Sequence, residues 1–195
     1  MKFLQSITVW LIAVCVIVFI LQQIFPSITD SFSFTPIYAF SQPWTFVTAI
    51  FLHADPTHIL LNMIALFFFG IYLEQKISKR DYILIFLAAG IIGNVGYLLT
   101  APSANVPGLG ASGAIYGIMG TLTVLAPKAI VFVYGIPMPM FVAAIFWFLL
   151  EFFGLFSPSD IAHGAHIGGL FFGLIVGLYY RSRSKNQVFI FKQAY

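Results

Sequence analysis

Asn62, Ser112 and His166 are an amide, a hydroxyl and an imidazole, each set inside a strongly apolar stretch of chain. Ser112 stands in Gly110-Ala111-Ser112-Gly113, and His166 opens His166-Ile167-Gly168-Gly169. Polar side chains in hydrocarbon are expensive, so complementary ones at similar depth point to function. A hydroxyl becomes a useful nucleophile when a base takes its proton, and a neutral imidazole is a suitable base. An amide N–H can hold the oxyanion that results. The set predicts serine-type hydrolysis carried out within a lipid bilayer.

The composition demands such a setting. The chain has 195 residues, of which 61% are hydrophobic and only 8% charged. A soluble domain carries roughly a quarter charged residues. The sequence therefore reads as an integral membrane protein, a single domain over residues 1–195. The first apolar run is longer than the core of a signal peptide and lacks a small-residue cleavage site, so it is read as a retained span. The one cysteine, Cys15, excludes an intramolecular disulfide and a cysteine metal cluster. It is read as a packing or lipid-facing residue. The net charge of +3 comes from basic residues at the ends of apolar runs, a topological use that does not suggest nucleic acid as a partner.

Hydropathy divides the chain into six predicted helices, at about 7–25, 58–75, 82–100, 112–126, 138–157 and 162–180. Every Lys and Arg falls at the N-terminus, near Lys76 to Arg80, at Lys128, or in the tail from Arg181. The intervening loops 26–57, 101–111 and 158–161 hold none, which places both termini in the cytoplasm. Loop 26–57 is rich in aromatics and is expected to lie in the membrane interface.

These helices give the polar residues a depth. Ser112 precedes Lys128 by 16 residues, His166 precedes Arg181 by 15, and Asn62 precedes Lys76 by 14. At 1.5 Å per residue the three lie roughly 21–24 Å above the cytoplasmic ends, in one layer. The fourth helix is short, because the two prolines and two glycines of 101–110 keep that segment non-helical. Such backbone is tolerated at membrane depth only beside protein or water. An outward pocket with Ser112 at its floor is the expectation.

Contact between Ser112 and His166 needs the fourth and sixth helices close together. Gly113 and Gly117 on one, and Gly169, Gly173 and Gly177 on the other, supply small-residue stripes that permit it. Ser112 opens a helix, so its N–H is free for an oxyanion. The Asn62 amide is a second donor, and His58, one turn earlier on the same face, a third. Tyr116, one turn past Ser112, can pack on the imidazole. With no carboxylate identified at the depth of His166, the expectation is a Ser–His dyad rather than a triad; Asp160 belongs to the outer loop.

Blander readings compete. A lone serine in such a helix often bonds only to a backbone carbonyl, and a lone histidine is often interfacial, the reading given to His163. His53 either does the same or braces the site. A metal site on His53, His58, His163 and His166 lacks compact ligand spacing and companion carboxylates. Glu74 is expected to tie its helix end to Lys76, Lys79 or Arg80. Glu151, alone in the fifth run, has no partner legible in sequence and is the best feature for a transport function.

Taken together, the motifs resemble those of the rhomboid intramembrane serine proteases, over essentially the full chain. Gly110-Ala111-Ser112-Gly113 is similar to that family's G-x-S-G, and His166-x-x-Gly169-x-x-x-Gly173 to its sixth-helix motif. His58-x-x-x-Asn62 resembles its second-helix H-x-x-x-N, with His53 at a further frequent histidine position and Tyr116 at the stacking tyrosine. Trp44-Thr45 stands where the family usually carries Trp-Arg in its membrane-lying first loop. The resemblance implies an all-α bundle of six transmembrane helices whose short fourth helix carries the serine. It implies Ser112 as nucleophile, His166 as general base, and an oxyanion site from Ser112 N–H, Asn62 and His58, supported by Gly110 and Gly113. It further implies transmembrane protein substrates cut near the outer face, with no metal or cofactor. Activity as a monomer in the bilayer of a prokaryotic cell membrane is the accompanying expectation, with lateral substrate access past a mobile fifth helix. A catalytically silent relative that captures membrane helices is the alternative.

Overall fold

The computed structural model describes residues 5–159 and 161–193, with side chains described through residue 183. Lys2 and Asp160, used in the topological reading, lie outside the described residues. Helix α1 spans Ile7–Ile24, and α2 spans Ser27–Phe32. After the short α3, Thr45–Thr48, helix α4 runs Pro56–Ala65. A π-helical turn at Leu66–Gly70 leads into α5, Ile71–Glu74, so the rod is continuous from Pro56 to Glu74. Then come α6 at Lys79–Thr100, α7 at Ser112–Leu125, α8 at Met140–Gly154 and α9 at His163–Gln193. An antiparallel hairpin, β1 Ile130–Val133 with β2 Ile136–Pro139, links α7 to α8. Its turn uses positive φ at Tyr134 and Gly135.

Local chemistry sets where helices begin. Asp55 caps α4 by accepting the His58 N–H at 2.8 Å, and Pro56 occupies the first turn, where a missing N–H costs nothing. This cap fixes the rotational phase of His58 and Asn62. Ser78 caps α6 by accepting the Asp81 N–H and donates its own hydroxyl to the Asp81 carboxylate.

Among the described residues, three helices are long and apolar enough to cross a membrane: Ile7–Ile24, Pro56–Glu74 and Lys79–Thr100; Ser112–Leu125 and Met140–Gly154 are shorter apolar helices. The exterior is apolar, with Ile17, Leu99 and Phe153 among many exposed large side chains. Water would not tolerate so much apolar surface on a monomer, whereas lipid does. Helix α1 buries Thr8, Cys15 and Gln22, a single stripe of seven-residue spacing. Cys15 is fully enclosed, which makes it a packing residue.

Helix α7 is the centre of the bundle, buried almost continuously from Gly113 to Leu122. It packs on α6 and α9 through glycines. A β-carbon on Gly169 would overlap the Gly113 carbonyl, and one on Gly173 the Gly117 carbonyl. The stripes read from sequence are therefore the contact line itself.

Glu74 differs from expectation. Its carboxylate accepts the Ser6 and Thr8 hydroxyls at 2.7 and 2.8 Å and the N–H groups of Ile7 and Thr8 at 2.7 and 3.1 Å. Rather than pairing with Lys76, Lys79 or Arg80, it caps the start of α1. The free N–H groups and positive dipole end of a helix are better partners than solvated lysines.

The segment 26–57 is packed rather than loose. Phe34, Ala39 and Tyr97 share a small apolar cluster, and Phe34 forms a bridge with Gly108. Asn94 donates to the Phe46 carbonyl, Trp44 to that of Ser31, and Thr45 to that of Gln42. Phe40, Ile37 and Tyr38 face outward.

Candidate active site

Ser112 is the first residue of α7, and Gly110 two residues earlier has φ +128°. Only glycine adopts that backbone without strain. A β-carbon there would also collide with the His58 ring and approach the Ser112 hydroxyl. Gly110 therefore both turns the chain into α7 and admits His58 to the serine. The Gly110 N–H donates to the Ala49 carbonyl at 2.9 Å, which pins the turn to the first loop.

His166 lies on α9, one turn beyond its start, with Nε2 2.7 Å from Ser112 Oγ. The close passage of α7 and α9 makes this possible: Gly113 faces Ala165, and Gly169 faces Gly113. The Tyr116 ring stacks on the imidazole, centroids 4.4 Å apart. Nε2 can thus accept the serine proton while the ring is held from one side.

His58 is half-buried, and its Nδ1 accepts the Ala54 N–H at 3.3 Å. The proton of the neutral ring is then on Nε2, the atom that faces Gly110. Asn62 donates one amide N–H to the His58 carbonyl at 2.9 Å and keeps a second. The first N–H groups of α7 have no intrahelical acceptor. The Ser112 N–H and the His58 ring, which meets the Gly110 turn beside the serine hydroxyl, are the donor sources placed at the serine.

His53 is fully buried and meets the His58 ring edge-on, centroids 5.2 Å apart. Its backbone is clamped by Gln22, whose amide accepts the His53 N–H and donates to the His53 carbonyl. Burial, with the neighbouring His58 acting the same way, pushes the His53 pKa down to about 4. The four histidines do not converge, since His53 adjoins His58 while His163 turns toward Glu151.

The expectation that no carboxylate reaches His166 is overturned. Glu151 of α8 is buried, with Oε2 3.0 Å from His166 Nδ1 and 2.6 Å from His163 Nδ1. The Tyr116 hydroxyl donates to Oε1 at 2.5 Å. The His166 contact has ion-pair distance but lacks hydrogen-bond alignment. A depth count needs a helix anchored by a basic residue, and α8 begins from a hairpin instead. His163 is correspondingly more than interfacial, bridging Glu151 and the Ser159 hydroxyl.

A recess lies between the ends of α6, α8 and the start of α9, lined by Thr100, Gly154, Ser159 and His163. Ser112 is not part of its lining; it sits half-buried beneath the Gly110 turn, which the first loop draws across it.

Residues 41–183 match the model of the rhomboid domain. The chain is 43% identical over 77 residues to the putative rhomboid protease YdcA of Bacillus subtilis, covering 40% of this chain and 38% of that one. It is 35% identical over 131 residues to the rhomboid protease GluP of the same organism, covering 67% of this chain and 24% of that protein. The mitochondrial RHOMBOID-like protein 12 of Arabidopsis thaliana is 32% identical over 143 residues, 64% of this chain and 43% of its own. The chain thus spans less than half the length of these relatives. A helical chain with an apolar exterior, matched to the rhomboid model from residue 41 to 183, belongs to the rhomboid family.

Proposed function

We propose that this protein is an intramembrane serine endopeptidase that cuts transmembrane segments of other proteins near the outer membrane face. The observation that carries the reading is the 2.7 Å approach of Ser112 Oγ to His166 Nε2. In the reaction, Oγ attacks the scissile carbonyl carbon as its proton passes to Nε2. The N–H of Ser112, the Nε2–H of His58 and the free Asn62 N–H stabilise the oxyanion. Collapse breaks the C–N bond, and the imidazolium returns the proton to the leaving amine. Water, deprotonated by His166, then hydrolyses the acyl-serine.

The same proposal has one domain over 1–195, with six spans and both termini cytoplasmic. The distribution of Lys and Arg supports it. Ser112–Leu125 is short for a span, which fits a helix that begins below the outer surface at an active-site turn. Relatives named as rhomboid proteases in Bacillus and Yersinia favour a prokaryotic cell membrane; mitochondrial relatives make an organelle membrane the other candidate. Substrates approach laterally, between α4 and α8. The exposed Leu61 and Ile64 of the one, and Phe146 and Leu149 of the other, offer an apolar path.

The test is cleavage of a single-span substrate by purified protein in liposomes, wild type beside Ser112→Ala and His166→Ala. Loss by about 10³-fold or more in both variants is expected. Equal cleavage by all three overturns the assignment. Folded wild type that binds membrane helices without cutting them favours a capturing protein instead.

A further inference from the structure

Glu151 is unusual for its surroundings. Helix α8 buries only Met140, Ala143, Ala144 and Glu151, and its remaining large side chains are apolar. The two alanines seat its first half, and the buried carboxylate is the polar link of its second half. An unpaired carboxylate at such a site is costly, and removing its partners would leave an uncompensated charge. Its partners are the Tyr116 hydroxyl at Oε1, and Nδ1 of His163 and of His166 at Oε2. These come from α7 and α9, the two helices that carry the reacting pair.

The hydrogen-bonding inventory decides what such a carboxylate does. An ionised carboxylate only accepts, so each imidazole facing it presents Nδ1–H. For His163 this leaves Nε2 to accept the Ser159 hydroxyl, 2.8 Å away. For His166 it leaves Nε2 with a free lone pair directed at Ser112 Oγ. The opposite tautomer would place a proton between Nε2 and the serine and no proton facing Glu151. Among the described residues, the remaining titratable group near His166 is His58 of α4, on the serine side of the ring.

We infer that Glu151 is a positioning residue for His166: through Nδ1, and through the Tyr116 ring it anchors, it selects the tautomer and orientation in which Nε2 can take the Ser112 proton. The inference rests on the protease reading of the same site. The imperfect alignment at 3.0 Å suits a resting site, where such hydrogen bonds tighten as charge develops. Positive charge appears on the imidazole when the serine proton moves, and the carboxylate then stabilises it most. Because Glu151 is on α8, the tautomer is coupled to where that helix stands.

Two variants separate positioning from mere anchoring. In Glu151→Gln the amide oxygen can accept from both imidazoles while its NH2 donates to the Tyr116 oxygen, so the pattern survives and only charge is lost. Glu151→Leu keeps the volume and removes the acceptors. Cleavage of a single-span substrate in liposomes and 15N NMR of the His166 ring nitrogens are measured on full-length protein. We expect Glu151→Leu to lower kcat by about a hundredfold with KM within about threefold, and Glu151→Gln to restore most of it. The NMR signals should report Nδ1–H in wild type and Glu151→Gln, and a mixture of tautomers in Glu151→Leu. A rise in KM alone, or one tautomer in all three proteins, overturns the inference in favour of an anchor. If wild type fails to cleave yet the tautomer still depends on residue 151, the positioning relation stands and the protease reading falls. If neither cleavage nor tautomer dependence is found, both fall.

Discussion

The ring of Tyr116 lies 7° from parallel to the imidazole of His166, while its hydroxyl donates to Glu151. One side chain thus provides both a stacking plane and a tether. The two contributions separate by substitution. Tyr116→Phe keeps the plane and loses the tether; kcat should fall about threefold. Tyr116→Ala loses both, and a stack worth about 0.5–1.5 kcal/mol plus freedom of the imidazole predicts a fall of about thirtyfold or more. Steady-state cleavage in liposomes reads the difference. Equal effects of the two variants would mean that the ring contributes nothing beyond its hydroxyl.

Gly169 is predicted to be intolerant of a single methyl. In Gly169→Ala the new β-carbon meets the Gly113 carbonyl, backbone that cannot rotate away. Helices α7 and α9 must separate, which costs about 1–3 kcal/mol in stability. A separation near 1 Å between nucleophile and base costs about a hundredfold in rate. Thermal unfolding in detergent and cleavage of the same sample should both show the loss. Normal activity would mean that the pair forms independently of this crossing.

Glu74→Gln should destabilise the protein while sparing the chemistry. One of the two oxygens becomes an NH2 that faces either the Ile7 N–H at Oε1 or the donors of Ser6 and Thr8 at Oε2. A loss of about 1–3 kcal/mol follows from the unmade hydrogen bonds, or several degrees in Tm. At a temperature where the variant stays folded, kcat should be unchanged. A selective loss of kcat with unchanged Tm would contradict the capping role.

His53 makes stability depend on pH. Its folded pKa of about 4 lies below the ordinary histidine value near 6.5. As pH falls the unfolded chain takes up the proton first, so the stabilisation is fully present above about 6.5 and is lost progressively toward 4. The slope of unfolding free energy against pH in that window should flatten in His53→Phe. An unchanged slope would locate the acid sensitivity elsewhere.

How much of this was visible in the chain differs by residue. The apolar runs show in hydropathy because lipid, like a core, accepts only apolar side chains, and each predicted run contains a helix. The depth of Ser112 and His166 could be counted because Lys128 and Arg181 close apolar runs, although α9 itself continues to Gln193, and the structure brings the two into contact. Glu151 resisted the same count. Its helix starts from a hairpin, and which neighbour it meets depends on rotation about α8, which hydropathy does not encode. Its expense in an apolar helix was the available signal, and it pointed to a role without naming the partner. The partners of Glu74 are hidden for a related reason. Lysines lie close in sequence, but the stronger partner is a helix start 66–68 residues away. The seat of the 101–111 segment rests on its contacts with Ala49 and Phe34, a long-range pairing with no periodic signature.

The π-helical turn at Leu66–Gly70 divides the rod from Pro56 to Glu74 into two lengths of different angular phase. The length before it aims His58 toward the Gly110 turn, and the length after it aims Glu74 at the beginning of α1. Each residue of a regular α-helix turns the chain by about 100°, so deleting one from the wide turn would swing one length against the other by that angle. Whichever end kept its partner, the other would face the wrong neighbour. The wide turn thus works as a phase adjuster, letting one helix satisfy two fixed directions that a uniformly wound rod would have to choose between.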